Sequence, residues 1–193
     1  MSTTGPRQLP PLPLLKSSFL RADVLAACVR YGPQLQGPAG LDPVRLMAAL
    51  SFNESSIGAN CGPRHEPVFD IGGAYDDGPI MRPLLDEYGS AAACSYGPWQ
   101  MMFCNYSRAY TPSQLLTDLQ ANAEEFVRFF NLNVLKHRGA KTLNDVGQVW
   151  NSGHIVSAPS PGVAAYCHRL QEAYSIGYAV TPVTCLSVPA VTP

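Results

Sequence analysis

Apolar residues recur at three- and four-residue spacing in several separate segments of the chain, and this spacing predicts a mainly helical protein. A first helix is expected over about residues 20–31, where Tyr31 is followed by Gly-Pro, a pair that ends helices. A second helix is expected to begin after Asp42, since aspartate is a good N-cap and Pro43 suits the first helical position. Its apolar stripe ends near Phe52, so we expect the helix to end there.

Helical spacing returns in the second half of the chain. Thr111 and Gln114 form a capping box, and Asp118 offers another N-cap, so this segment contains one helix or two. Thr142 caps a shorter helix, and a final helix is expected within residues 161–178.

Residues 58–97 lack this spacing and are rich in glycine, proline and acidic residues. A short helix or strand around residues 80–88 is the regular structure expected there. Loops this long inside a compact domain usually carry a function or are held by their own side chains. We therefore expect one helical domain over residues 18–178 with a long irregular acidic insertion, a Pro-rich lead (1–17) and an extended tail (179–193).

The composition excludes several classes of function. With a formal net charge of -1, the 193 residues provide no basic field for nucleic acid. No apolar run reaches the roughly 18–20 residues that cross a bilayer, so stable membrane insertion is not expected. The amino terminus lacks the charged start and apolar core of a signal peptide, so export by the usual route is not predicted.

The six cysteines and four histidines show neither Cys-x-x-Cys pairs nor zinc-finger spacings, so no structural metal and no cofactor are expected. Cys28 and Cys167 fall among apolar neighbours in helical segments and are typical of small core residues. Cys61, Cys94 and Cys104 lie in the loop-rich middle of the chain, where one disulfide is an open alternative to free thiols.

Three short motifs carry the candidate chemistry. Glu54 follows an apolar helix, where partial burial would raise its pKa and suit a general acid; a solvated glutamate is the alternative. Gln100 offers a donor and an acceptor beside Gly97, a residue that lets the backbone approach a ligand. Trp150 and Asn151 present an aromatic face and an amide, a common way to hold a sugar. Each motif alone also fits an ordinary structural role.

In order along the chain, the motifs are "ESS" from Glu54, "GPWQMM" from Gly97 and "WNSG" from Trp150. This order resembles the soluble lytic transglycosylase and goose-type lysozyme superfamily, whose motifs are "ESS", "GLMQ" and "YNAG". The resemblance covers roughly residues 42–175 and implies a lysozyme-like α+β fold, a monomer, and peptidoglycan glycan strands as the partner. It implies Glu54 as the catalytic acid and these substrate-binding residues: Ser55, Gly97, Trp99, Gln100, Met101, Trp150 and Asn151.

The chain departs from the family in its long insertion, and the insertion decides which reaction is expected. The family's transglycosylases use the substrate's own acetamido group and close a 1,6-anhydro ring, whereas a second carboxylate roughly 6.5–9.5 Å from the acid activates water. Asp70 is the first choice for this base because an apolar Val-Phe pair precedes it, and Asp76 and Asp77 come next. Glu66 is expected to hydrogen-bond within the cleft instead. For each aspartate, a solvated loop acid is the simpler alternative.

The function that the resemblance implies is a muramidase, which hydrolyses the β-1,4 bond between MurNAc and GlcNAc. A lytic transglycosylase and a chitinase are the enzymatic alternatives, and a lysozyme-like module that binds glycan without cutting it is the non-enzymatic one. Without a signal peptide, the expected setting is release by a phage or export by another route, such as a secretion apparatus.

Overall fold

The computed structural model describes residues 19–107 and 109–177, except the side chain of His137. The predicted Pro-rich lead and extended tail lie outside the described residues.

The described part of the chain contains seven α-helices, which confirms the mainly helical prediction. A π-helix, Phe130–His137, directly continues the fifth of them. The α-helices are α1 Arg21–Tyr31, α2 Pro43–Ser55, α3 Met81–Tyr88, α4 Pro112–Leu115, α5 Leu119–Phe129, α6 Leu143–Ser152 and α7 Pro161–Ile176.

Local side-chain caps explain where these helices begin. The Asp42 carboxylate accepts from the backbone N–H of Arg45, and Thr111 and Thr142 each form a capping box. Asp118 caps α5, so the segment that follows Thr111 contains two helices. A capped start leaves fewer backbone donors unpaired, which is why these starts are visible in the sequence.

The end of α2 differs from its prediction in a way that matters for the site. The helix continues past Phe52 to Ser55 and ends where Ser56 adopts a left-handed conformation, with φ of 54°. The last turn, residues 53–55, is polar, so the apolar spacing that predicts the helix ends before it. Glu54 therefore lies within the last turn of the helix and is positioned by it.

Helix α3 lies where a short helix or strand is expected, around residues 80–88, whereas a small antiparallel sheet forms within and just after the segment expected to be irregular. Its strands, in the order β1-β2-β3, place Arg64 opposite Ser95 and Tyr96 opposite Met101. Strands of two or three residues are too short to reveal an alternating pattern, so the sequence did not predict them. The strands are β1 Arg64–His65, β2 Cys94–Tyr96 and β3 Met101–Met102.

Two hydrophobic clusters support the site from either side. The larger lies among the helices and includes Trp99, which is 1% exposed and stacks on Phe126 with ring centroids 5.0 Å apart. The smaller lies under the sheet and α3 and includes Tyr96 and Phe103. Helix α7 packs against both α2 and α6, so the ends of these helices are held close to one another.

The five cysteines of the described part are free thiols, including the three for which the sequence left a disulfide open: Cys61, Cys94 and Cys104. Of the helices in residues 19–107 and 109–177, none is long and apolar enough to cross a bilayer.

Candidate active site

A cleft of about 740 Å³ lies between the small sheet and the helices. Its lining includes residues from the last turns of α2 and α6, from α7, from all three strands and from the loop that follows β1, together with residues around the π-helix and after β3. Pockets that bind small ligands commonly have volumes of about 300–1,000 Å³. The cleft therefore has room for part of a polymer.

Glu54 enters this cleft from the last turn of α2, with its side chain 7% exposed. The Tyr166 hydroxyl donates to Glu54 Oε1 over 2.6 Å, and Arg64 Nη1 lies 3.6 Å from Oε2. Burial raises the pKa of Glu54, and the opposing contributions of Tyr166, Arg64 and Trp150 do not cancel this effect. A carboxyl group that holds its proton to higher pH is suited to general acid catalysis.

Arg64 connects Glu54 to a second carboxylate in the cleft. Arg64 Nε donates to Glu66 Oε1 over 2.9 Å, while its Nη1 contacts Glu54. Residues two apart in an extended chain share a face. Arg64 and Glu66 accordingly both line the cleft, whereas His65 between them does not.

Asp70, which the sequence favours as the base, does not line the cleft. His65 Nε2 lies 2.7 Å from its Oδ2, and Ile71 N–H and Ser90 Oγ donate to its Oδ1 over 2.8 and 3.2 Å. Burial raises the pKa of Asp70, but hydrogen bonds from Ile71, His65 and Ser90 outweigh it and the pKa lies below its usual value. These contacts tie the loop to β1 and keep Asp70 ionised.

Asp76 and Asp77, the next choices for a base, also lie outside the cleft lining. The Asp76 carboxylate accepts from the Gly72 N–H over 2.7 Å, so it closes a turn of the same loop.

Four of the predicted substrate-binding residues do line the cleft: Gln100, Met101, Trp150 and Asn151. The Gln100 amide is fixed by its neighbours, since its Oε1 accepts from Ser95 over 3.1 Å and its Nε2 donates to the Gly97 carbonyl over 3.0 Å. Trp150 packs with its ring centroid 5.2 Å from that of Phe126. The lining is therefore held in place by the core.

The other three predicted substrate-binding residues belong to the framework and do not line the cleft: Ser55, Gly97 and Trp99. Ser55 Oγ donates to the Pro98 carbonyl over 2.7 Å, and the Trp99 indole donates to the Met47 carbonyl over 3.0 Å. Gly97 has a φ of 74° and packs so closely on Asn122 that a Cβ would overlap its side-chain oxygen. These contacts hold the turn before β3 against α2 and α5.

The structure adds side chains that sequence reasoning missed. Tyr166 has the helical spacing of a core residue, and nothing in the sequence indicated that its hydroxyl meets Glu54. Arg169 lines the cleft one turn further along α7, where its Nε donates to Asn53 over 3.3 Å. The position of Arg64 was predictable from the sequence. In an extended chain, a cation two residues before Glu66 lies on the same face as Glu66.

The described residues contain no group of three His, Cys, Asp or Glu side chains that could hold a metal ion. Comparisons of the chain with protein-family models, with curated proteins and with solved structures found no match.

Proposed function

We propose that this protein is a lysozyme-like muramidase, which hydrolyses the β-1,4 glycosidic bond between MurNAc and GlcNAc in peptidoglycan. The observation that carries the proposal is the pair of carboxyl groups in one cleft, Glu54 and Glu66, with Arg64 between them. The order of the three sequence motifs also supports it, because the second and third motifs bring Gln100 and Trp150 to the cleft that Glu54 of the first motif enters.

Glu54 is the proton donor of the proposed reaction. Cleavage of a glycosidic bond needs a proton on the leaving oxygen and a group that meets the oxocarbenium-like centre. The raised pKa keeps Glu54 protonated at a pH where an exposed glutamate has ionised. The Tyr166 hydroxyl fixes the orientation of the carboxyl group.

Glu66 takes the role of the base, in place of Asp70. Inverting glycosidases hold their two carboxyl groups roughly 6.5–9.5 Å apart, so that one water fits on the far side of the sugar. One guanidinium in contact with both Glu54 and Glu66 keeps their nearest oxygens within that upper bound. The hydrogen bond from Arg64 Nε to Glu66 Oε1, over 2.9 Å, holds this carboxyl group in the cleft, where it could accept a proton from the attacking water.

The charges of the cleft favour peptidoglycan over chitin. Three arginines line it, namely Arg64, Arg138 and Arg169, against the two carboxyl groups of Glu54 and Glu66. When Glu54 is protonated for catalysis, the positive charge dominates. Chitin is neutral, whereas the peptide stems of peptidoglycan carry carboxylates that arginine binds well.

The test is incubation of the purified protein with peptidoglycan, followed by mass spectrometry of the soluble products. Wild-type protein is expected to release fragments with ordinary reducing ends. Glu54→Gln is expected to keep the fold and to lose about 10²- to 10⁴-fold in turnover, because the proton donor is gone. Glu172→Gln is the matched control, since it makes the same chemical change on the exposed face of α7, where the Glu172 side chain is 61% exposed.

The products distinguish the proposal from its alternatives. Anhydro-muramic ends, each lighter by one water, would identify a transglycosylase. Wild-type turnover by Glu54→Gln would contradict the proposed acid. Cleavage of chitin oligomers in preference to peptidoglycan would contradict the proposed substrate.

A further inference from the structure

Two aromatic rings of the loop after β1 line the cleft without belonging to the catalytic pair. Tyr75 is 58% exposed although it lines the cleft, and Phe69 lies beside it. Their rings are stacked, with centroids 5.2 Å apart and planes inclined by 30°. A large apolar surface left exposed in a cleft is characteristic of a contact with a ligand.

The loop that carries Tyr75 is held in place by its own contacts. The Tyr75 N–H donates to the Val68 carbonyl over 2.9 Å, and the Gly73 N–H donates to the Asp70 carbonyl over 2.8 Å. Gly73 packs so closely on Pro67 and Val68 that a Cβ would overlap their backbone. The ring of Tyr75 is therefore presented to the cleft by a preorganised loop, which lowers the entropy lost when a ligand binds.

We infer that Phe69 and Tyr75 form a sugar-stacking subsite, at which the Tyr75 ring packs against the apolar C–H face of one sugar of the bound glycan. The inference rests on the proposed function and adds a specific contact to it. An aromatic ring with few rotatable bonds offers a wide apolar face at low entropic cost, and a tyrosine hydroxyl remains free to meet water. Phe69 stacks on the Tyr75 ring and so adds a second aromatic surface to the same part of the cleft.

The experiment measures binding of soluble, uncrosslinked peptidoglycan strands by calorimetry in a Glu54→Gln background, in which turnover is blocked. Adding Tyr75→Ala is expected to weaken binding about tenfold, because an aromatic contact of this kind contributes about that factor. Tyr75→Phe is expected to restore most of the affinity, since it keeps the ring. Ile71→Ala is the matched control: Ile71 is 70% exposed on the same loop but does not line the cleft.

The outcomes separate the subsite from the proposed function. Unchanged affinity in Tyr75→Ala, with or without a lower melting temperature, would overturn the subsite, and cleavage by the wild type would still support the muramidase. Ring-dependent binding without wild-type cleavage would support the subsite and overturn the muramidase. A wild type that neither binds nor cleaves the strands would overturn both.

Discussion

The two walls of the cleft are built in different ways. The helical wall consists of Glu54, Trp150 and Tyr166, which come from the ends or faces of three packed helices. The sheet wall consists of Arg64 and Glu66 with the aromatic pair of the following loop, and it rests on strands of two or three residues. The Glu54 side chain is 7% exposed, whereas those of Arg64 and Glu66 are 54% and 33% exposed.

This difference assigns a separate physical task to each wall. Burial on the helical wall raises the pKa of Glu54, an effect that needs a low-dielectric and rigid surrounding. The more accessible side chains of the sheet wall present polar groups or an open ring to the cleft, so they are suited to contact substrate and water. In the proposed reaction the acid comes from the helical wall and the base from the sheet wall.

The largest effect is expected from a change that affects both walls together. Gly97 lies in the turn that connects β2 to β3 and packs against Asn122 of α5. Gly97→Ala adds left-handed strain and an overlap with a buried amide, and should lower the free energy of unfolding by about 2–5 kcal/mol. Urea unfolding measures this loss.

Gly40→Ala is the matched control for Gly97→Ala. Gly40 also has a positive φ, of 84°, but nothing lies within 4 Å of an added Cβ. It should lose only the strain contribution, about 1–2 kcal/mol. Equal losses in the two variants would show that Asn122 moves aside and that the turn is not clamped as the structure indicates.

The helical wall was largely predictable from sequence, because its signals are local. Asp42 and Thr142 mark the starts of α2 and α6 by caps that involve residues three positions away. The contact between Glu54 and Tyr166 was not predictable, because it joins residues 112 positions apart and depends on how α7 packs.

The sheet wall was poorly predictable for a different reason. The strand β1 has two residues, too few for an alternating pattern, so the sequence did not reveal which acids of the insertion share a face. The apolar neighbours of Asp70 favour it as the base, whereas in the structure its carboxylate contacts His65 and Ser90. Glu66 lies two positions after Arg64 in an extended segment, so both side chains are on the face that lines the cleft.

The next largest effect should come from the proposed base on the sheet wall. Glu66→Gln removes the proposed proton acceptor and is expected to lower the proposed hydrolysis about 100-fold, within the range for general base catalysis. Asp70→Asn is the comparison variant, because the sequence favours Asp70 as the base but Asp70 does not line the cleft. Asp70→Asn should lower the free energy of unfolding, since it weakens the contacts with His65 and Ser90. It should have little effect on turnover. Initial rates on peptidoglycan and urea unfolding measure the two effects.

The reverse result would be informative about mechanism. If Glu66→Gln keeps wild-type rates and the products carry anhydro ends, the substrate's acetamido group replaces the base. If Asp70→Asn is the slower variant, the loop rearranges on binding and the sequence preference was correct.

The smallest effect is expected from Tyr166→Phe on the helical wall. This variant should shift the pH dependence of kcat/KM in one defined direction. The Tyr166 hydroxyl stabilises ionised Glu54 and so lowers the pKa that burial raises. Without it the pKa of Glu54 rises further, and the alkaline limb of the kcat/KM profile should move to higher pH, because the acid must be protonated to act. The maximal rate should fall about tenfold or less, as one orienting hydrogen bond is lost.

The pH dependence of the free energy of unfolding provides an independent check on the shift in the pKa of Glu54. A carboxyl group whose pKa is raised by folding stabilises the folded state below its unfolded pKa, and this contribution is lost as pH rises through the folded pKa. Tyr166→Phe should therefore destabilise the protein more at neutral than at acidic pH. Tyr174→Phe on the same helix is the control, since its hydroxyl accepts from the Asp42 N–H over 2.7 Å and does not meet Glu54. An alkaline limb that stays in place in Tyr166→Phe, or moves equally in Tyr174→Phe, would show that Tyr166 does not set the proton affinity of the acid.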